Sequence, residues 1–430
     1  MRNTKLRISL REVVYIIAAI LLFFEIYLMD IGGLKIIRYF DEAIAVFCLI
    51  TILFSAVLMR LDRSQVRMLL LMVLVLAIGL VSTYRANLQY LPKAIFTDVG
   101  NTFKVFVTYI GATLYLKPVK DKKRIITCLA TIMRLFVVVL FVCMLLHFSG
   151  IYRMGNDTRY GLPSFQFLNY GAGQLSLMFY SIFLVLAVDM RYDRHNRQVK
   201  MLFMLLAAIV WVSTLRTRAF LYIIMFFGLY WLLIKRNYEI KMNWKTVLIG
   251  IVFMLIFSLD QIEVYFGNDK AARHVFLEYG FTTMYLFFPF GSGFASYGTD
   301  AAVIYYSLLY YLYGFDSVWG LSPTNSIFAH DTYWPAIMAQ FGAFGLIIML
   351  LVVYHWARDL LRRVKHEKYA YLAGLFIAIT QISSSIATAT FFHFVTVGLF
   401  FLLPILFDDN TKKQEGGIPD ETSDRLYSYI

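Results

Sequence analysis

Arg216 and Arg218 stand two residues apart in STLRTRAF, a polar tip between apolar stretches at 201–214 and 219–234. A guanidinium is a planar, permanently charged fork whose donors match phosphate oxygens in pairs. Two of them at an apolar boundary suit a phosphate or pyrophosphate. The stretch 201–214 spans about 14 residues and rises about 21 Å, against a hydrocarbon core of about 30 Å, and its partner 219–234 is also short. The tip is therefore expected to sink below the headgroup level, where two cations require an anion. The alternative is a pair of arginines snorkelling from a helix hairpin.

Other polar residues offer acid–base chemistry. His330 and Asp331 directly precede an apolar stretch, and Asp331 is suited either to general base or to complementing the helix dipole. Asp41 and Glu42 form the only outer carboxylate pair before the long loop, able to activate a hydroxyl, to bind a cation or to cap the helix that follows. Tyr305, Tyr306, Tyr310 and Tyr313 fall at helical spacing within 299–313, which predicts an interfacial amphipathic helix whose rings could stack on sugars. Gly291, Gly293 and Gly298 predict tight backbone bends just before it. His147, His355 and His393 are isolated and read as satisfied structural histidines. Lys104 and Arg134 lie inside apolar stretches, and the latter is accommodated if its helix begins after Arg134, with 121–133 along the inner surface. The three cysteines, Cys48, Cys128 and Cys143, form no disulfide or metal set and read as small apolar residues.

The elements that must hold these groups follow from composition. Of 430 residues, 60% are hydrophobic and only 16% charged, which no soluble fold of this length could bury. Mean hydropathy is +0.67. Soluble enzymes, nucleic-acid binders and disulfide-built secreted domains are excluded. Apolar stretches at about 13–29, 43–59, 68–83, 94–116, 125–149, 171–190, 201–214, 219–234, 246–262, 332–355, 369–387 and 391–407 predict an all-α polytopic membrane protein with about 12 crossings. The first stretch lacks a small-residue cleavage site and reads as a retained helix.

Loop charges then set the orientation. With both termini cytoplasmic, the inner segments carry 28 Lys and Arg and the outer ones 10, and every inner segment is richer than every outer one. The net charge of +13 is thus mostly a topology signal rather than a sign of an anionic partner. The resulting organisation is a cytoplasmic segment 1–12, crossings one to nine within 13–262, an external loop 263–331, crossings ten to twelve within 332–407, and a polar, disordered cytoplasmic tail 408–430. The external loop is the asymmetric feature. Phe, Tyr or Trp make up 19 of its 69 residues, which predicts a folded cap rather than disorder.

Five segments together resemble Wzy-type polysaccharide polymerases of the bacterial O-antigen polymerase and ligase superfamily, in particular the capsular and exopolysaccharide polymerases of Gram-positive bacteria. They are FDE before the second crossing, TRYGLPSFQFLNYG before the sixth, STLRTRAFL between the seventh and eighth, the Arg273 region leading to PFGSGFASYG, and FAHDTYWPAIMAQFGAFG entering the tenth. The resemblance implies a GT-C-like transferase in the bacterial cytoplasmic membrane that joins oligosaccharide repeat units carried on undecaprenyl pyrophosphate. It implies critical external arginines, which map here onto Arg159, Arg216, Arg218 and Arg273. The ligase branch carries a His-Asn pair where this chain has His330-Asp331, a departure that moves the catalytic expectation to Asp331, with His330 beside it. The expected partners are the lipid-linked oligosaccharide, the bilayer, a flippase and a chain-length regulator, with no nucleic acid. The bond energy resides in the pyrophosphate, and no nucleotide motif or Asp-x-Asp is present, so no cofactor and no metal are expected. The rival readings are a ligase-type transferase and a transporter of lipid-linked oligosaccharide. The short link between the sixth and seventh crossings argues against a major facilitator.

Overall fold

The computed structural model describes residues 9–29, 35–168, 171–192, 195–237, 272–326, 328 and 332–407. The expected crossing at 246–262, the first part of the large loop and the tail lie outside the described residues.

The chain is almost wholly helical. Helix α1 (Leu10–Leu28) starts where the Ser9 hydroxyl accepts the Glu12 amide at 3.3 Å. A 3-10 turn at Lys35–Tyr39 leads into α2 (Phe40–Val57). Helix α3 (Arg63–Ala86) ends at Asn87 in the left-handed conformation, and α4 (Pro92–Leu116) begins on a proline whose missing N–H is no loss there. Next come α5 (Lys123–Phe148), a two-residue hairpin of β1 (Thr158–Arg159) and β2 (Leu162–Pro163), α6 (Ala172–Asp189), α7 (Arg197–Val212) and α8 (Thr217–Tyr230). A π turn at Trp231–Lys235 extends α8. The second half holds α9 (Ala272–Leu286), the short α10 (Asp300–Ile304) and α11 (Leu308–Leu312), then α12 (Tyr333–Val364), α13 (Lys368–Ala387) and α14 (Phe394–Leu402).

Among the described residues, seven helical segments are long and apolar enough to cross a membrane: Ile37–Val57, Arg63–Ala86, Lys123–Phe148, Ala172–Asp189, Thr217–Lys235, Tyr333–Val364 and Lys368–Ala387. Two expectations need correction here. The helix containing Arg134 does not begin after it; α5 runs unbroken from Lys123, and Arg134 is neutralised by an ion pair with Asp189, which Lys200 also meets at 3.1 Å. The stretch after 219 is not short, because the π turn carries it to Lys235, 19 residues in all. Helix α7, at 16 residues, does remain short.

Helix α6 is buried on nearly every face among α5, α7, α13 and α14, as expected of a helix that is apolar all round. By contrast α2, α3 and α5 turn Leu53, Phe54, Leu70 and Leu135 outward, a surface suited to lipid rather than water. Several interior charges are paired, as low-polarity surroundings demand. Lys104 meets Asp41 at 2.7 Å, both buried. Asp359 accepts from Tyr109, Arg362 and Arg363, and Arg363 also reaches Asp62 at 2.8 Å, tying α3, α4 and α12 together.

The element that shapes the candidate site is the non-helical segment 291–299, buried throughout and threaded against α3, α4 and α12. Helix α12 is interrupted at Gly342 (φ 64°, ψ −164°), which leaves carbonyls upstream of the break available. Ser292 N donates to Ala339 O and Gly293 N to Gln340 O, both at 2.8 Å. From the other side the Thr83 hydroxyl accepts the Phe294 amide at 2.8 Å, and the Asp98 carboxylate accepts the Ala295 amide at 2.5 Å. Every peptide group engaged in this way escapes the cost of burial unpaired, which is what permits irregular backbone inside a helical bundle.

Candidate functional site

The site is built where helix starts converge. A cavity of about 300 Å³ is lined by the first turn of α6 (Gly173, Gln174), by Arg216 and Arg218 at the start of α8, and by Arg273 at the start of α9. Asp300 and the polar gap between α13 and α14 (Thr388, Thr390, His393) complete it. The first turns of α6 and α8 and the cap of α14 therefore border one space, with Arg273 of α9 beside them. Each brings the partial positive charge of its dipole and amides not used within the helix. Three guanidiniums add full charges. Among the described residues lining the cavity, the carboxylate is the exposed Asp300.

Local structure explains why the two arginines of the tip are held there. After α7 stops, Leu215 takes a left-handed conformation (φ 50°), and Arg216 becomes the cap of α8 with extended backbone. Arg218 then sits in the first turn of α8. Its guanidinium donates to the Thr388 hydroxyl at 3.3 Å, and Thr388 donates to Ser384 O at 2.8 Å at the end of α13. Among the described residues Arg218 makes no ion pair, so its charge is not cancelled by a neighbouring carboxylate. Behind it, the Tyr222 hydroxyl contacts Ser383 and Ser384, and Tyr180 contacts Ser384, so α6, α8 and α13 share one hydroxyl cluster.

Arg159 does not line the cavity but is linked to it. It lies on the β1–β2 hairpin, which docks on the α7–α8 tip through Ser164 to Thr214 O (2.8 Å), Phe165 N to Ser213 O (2.9 Å) and the Tyr160–Thr217 hydroxyl contact (2.9 Å). Asp157 Oδ2 stands between Arg159 Nε at 3.4 Å and an Arg216 nitrogen at 3.3 Å. Both contacts are long and half exposed, so the carboxylate holds the two guanidiniums near each other without strong pairing.

The structure thus gathers Arg216, Arg218 and Arg273 around one space and connects Arg159 to them through Asp157. It does not gather Asp41 and Glu42. Asp41 is buried against Lys104, and its amide donates to the Glu25 carboxylate at 3.4 Å; Glu42 is exposed on the same helix. Tyr305 and Tyr306 are also elsewhere. The single amphipathic helix expected over 299–313 is instead two five-residue helices, because Tyr306 adopts a left-handed backbone (φ 36°) and Ser307 caps the second. Tyr305 packs with Ala94, Ala295 and Ala301, and the Tyr306 hydroxyl donates to Leu321 O at 3.1 Å. Burial, with Asp316 nearby, pushes the Tyr306 hydroxyl up to about 12, so it remains a neutral donor. Tyr310 is buried and accepts the Gly298 amide at 2.8 Å, consistent with core packing rather than an open stacking platform. His330 and Asp331 lie outside the described residues. The buried His147 accepts the Met154 amide at Nδ1 (2.9 Å), but its Nε2 has no hydrogen-bond partner among the described residues, so it is only half satisfied. Among the described residues no three His, Cys, Asp or Glu side chains are placed to share a metal ion.

Sequence reasoning missed Gln174, Asp300, Thr388, Thr390 and His393. A signal was present: these residues occupy the first turns, or the polar breaks, of the apolar helices that start on the same side as Arg216. No family model matches the chain, and no curated protein is significantly similar to it.

Proposed function

We propose that the chain is a GT-C-like polysaccharide polymerase with about 12 crossings, which joins undecaprenyl-pyrophosphate-linked oligosaccharide repeat units at the outer face of a bacterial cytoplasmic membrane. The observation that carries this reading is the convergence of Arg216, Arg218 and Arg273 with the first turns of α6 and α8 and the cap of α14 on one cavity. Such a site suits a pyrophosphate: fixed forks and helix starts match its oxygens and are already oriented before charge develops.

In the proposed step an acceptor sugar hydroxyl attacks the anomeric carbon of the donor. The new carbon–oxygen bond forms as the bond from that carbon to the phosphate oxygen breaks. The electron pair leaves with the pyrophosphate, where the guanidiniums stabilise it. The hydroxyl proton passes to a carboxylate. Sequence reasoning assigns that carboxylate to Asp331, and Asp300 at the cavity wall is the second candidate.

The reading is tested by incubating purified full-length protein in lipid nanodiscs with undecaprenyl-pyrophosphate oligosaccharide. Appearance of oligomers of the repeat unit supports polymerase, and transfer only to a different added acceptor converts the reading to ligase. A second reading, transport of a lipid-linked oligosaccharide, draws on the helix breaks at Gly342 and at 388–393, since discontinuous helices also frame substrates in transporters. Translocation without any bond formation would favour it.

A further inference from the structure

The end of α3 and the link to α4 form a second groove, of about 730 Å³, separate from the arginine cavity. Helix α3 has 24 residues and rises about 36 Å, against a hydrocarbon core of about 30 Å, and its apolar stretch stops at residue 83. Tyr84, Arg85, Asn87 and Tyr90 follow that stretch, line the groove and are exposed, Tyr84 at 87% and Tyr90 at 67%. Among the described residues no hydrogen bond, ion pair or ring contact engages these four side chains. Two phenol rings, an amide and a guanidinium are groups that recognise sugars: the rings cover C–H faces, and the polar groups meet hydroxyls. The floor of the groove ties it to the cavity. The Thr83 hydroxyl accepts the Phe294 amide, and Gln89 Nε2 donates to Ala295 O at 3.4 Å. Asp300, five residues beyond Ala295, lines the arginine cavity. Five residues of chain span at most about 18 Å, so one oligosaccharide can reach from the cavity to the groove.

We propose that this groove is a saccharide subsite, which holds the distal units of the growing donor glycan while its pyrophosphate end lies among Arg216, Arg218 and Arg273. The assignment rests on the polymerase reading for its ligand and adds a hold on the chain away from the reacting bond. That hold retains a long glycan while the spent lipid pyrophosphate leaves and the next repeat unit enters. A donor of one repeat unit gains little from it, and a donor of several units gains the ring contacts.

The test uses full-length protein in nanodiscs, undecaprenyl-pyrophosphate oligosaccharide as substrate, and chromatography of the products at early times. Wild type is compared with the double variant Tyr84→Ala/Tyr90→Ala, whose side chains are exposed, so the melting temperature should be unchanged. The first joining of two single repeat units should change less than about twofold, while formation of longer products should fall by about tenfold. Tyr84→Phe/Tyr90→Phe, which keeps the rings, should recover most of the length. Polymer released from its lipid by mild acid and added in excess should inhibit elongation by the wild type but not by the alanine variant. A wild-type length distribution in the alanine variant would overturn the proposal. So would equal losses of first joining and elongation, which mark a structural role. A defect that disappears when anionic lipid is left out of the nanodisc would assign the groove to a lipid headgroup and overturn it as well. Failure of the wild type to join even two repeat units would instead remove the polymerase reading.

Discussion

Arg218 offers the cleanest single-residue test, because it meets a hydroxyl and not a carboxylate. If the planar fork matters, Arg218→Lys should lower kcat/KM for lipid-linked repeat units by about 10–100-fold despite retaining the charge. Protein yield should be unchanged, and Arg218→Ala should lose more. Turnover of the lysine variant close to wild type would show that a point charge suffices. Asp331→Asn and Asp300→Asn should be compared in the same assay: the variant that loses nearly all turnover while still binding the lipid-linked donor identifies the base, and a variant with normal turnover loses that assignment. Away from the cavity, the buried Lys104–Asp41 pair makes a purely energetic prediction. Lys104→Met strands a carboxylate in the interior and should cost about 3–5 kcal/mol, whereas adding Asp41→Asn should return most of it, as read from unfolding in detergent. A double variant no more stable than the single one would mean that the pair is not energetically coupled.

Among the elements, the buried segment 291–299 and the broken helix beside it stand or fall together. Gly293 (φ 88°) lies directly against the Thr83 backbone, and a Cβ on Gly342 would collide with Pro289 O and Gly291 N. Gly293→Ala and Gly342→Ala should each destabilise the protein by more than about 2 kcal/mol. Gly150→Ala is the informative control, since Gly150 is equally left-handed (φ 76°) but has open space around it. It should cost only about 1 kcal/mol, the backbone share of the effect. Equal losses at all three positions would mean that close approach contributes nothing. The bends at 291, 293 and 298 were legible in the sequence because glycine is the residue that tolerates them. The interruption of α12 at Gly342 was not, since a glycine within an apolar run reads as helix until a partner is known to occupy the break. The tyrosine repeat misled for a related reason: spacing of three and four fits a helix, but Ser307 and the left-handed Tyr306 end it halfway.

At the level of the whole molecule, apolar length located the helices well, because a chain in a bilayer must satisfy its backbone within each crossing. Eleven of the twelve apolar stretches overlap helices among the described residues. The arginines at the site were also legible, because loop charge left them unexplained by orientation. The hydroxyl, amide and imidazole groups around them were not, since Thr388, Gln174 and His393 carry no such asymmetry. On the proposed orientation, a cysteine placed at Tyr160 should react with a membrane-impermeant maleimide added outside intact cells, and one placed at Lys365 should react only after permeabilisation. The opposite pattern would invert the topology and put the arginine cavity on the cytoplasmic side. The cavity wall also has a bearing on biosynthesis. It draws on Gly173 near the middle of the chain and on His393 at the cap of α14, and within the segment 291–299 the Ser292 and Gly293 amides gain their acceptors only when α12 arrives. On the proposed reading, a ribosome must therefore deliver nearly the whole chain to the membrane before the anion site is complete. If that reading holds, products terminated before α14 would be inert, and a nascent chain could not engage a pyrophosphate while it is still being inserted.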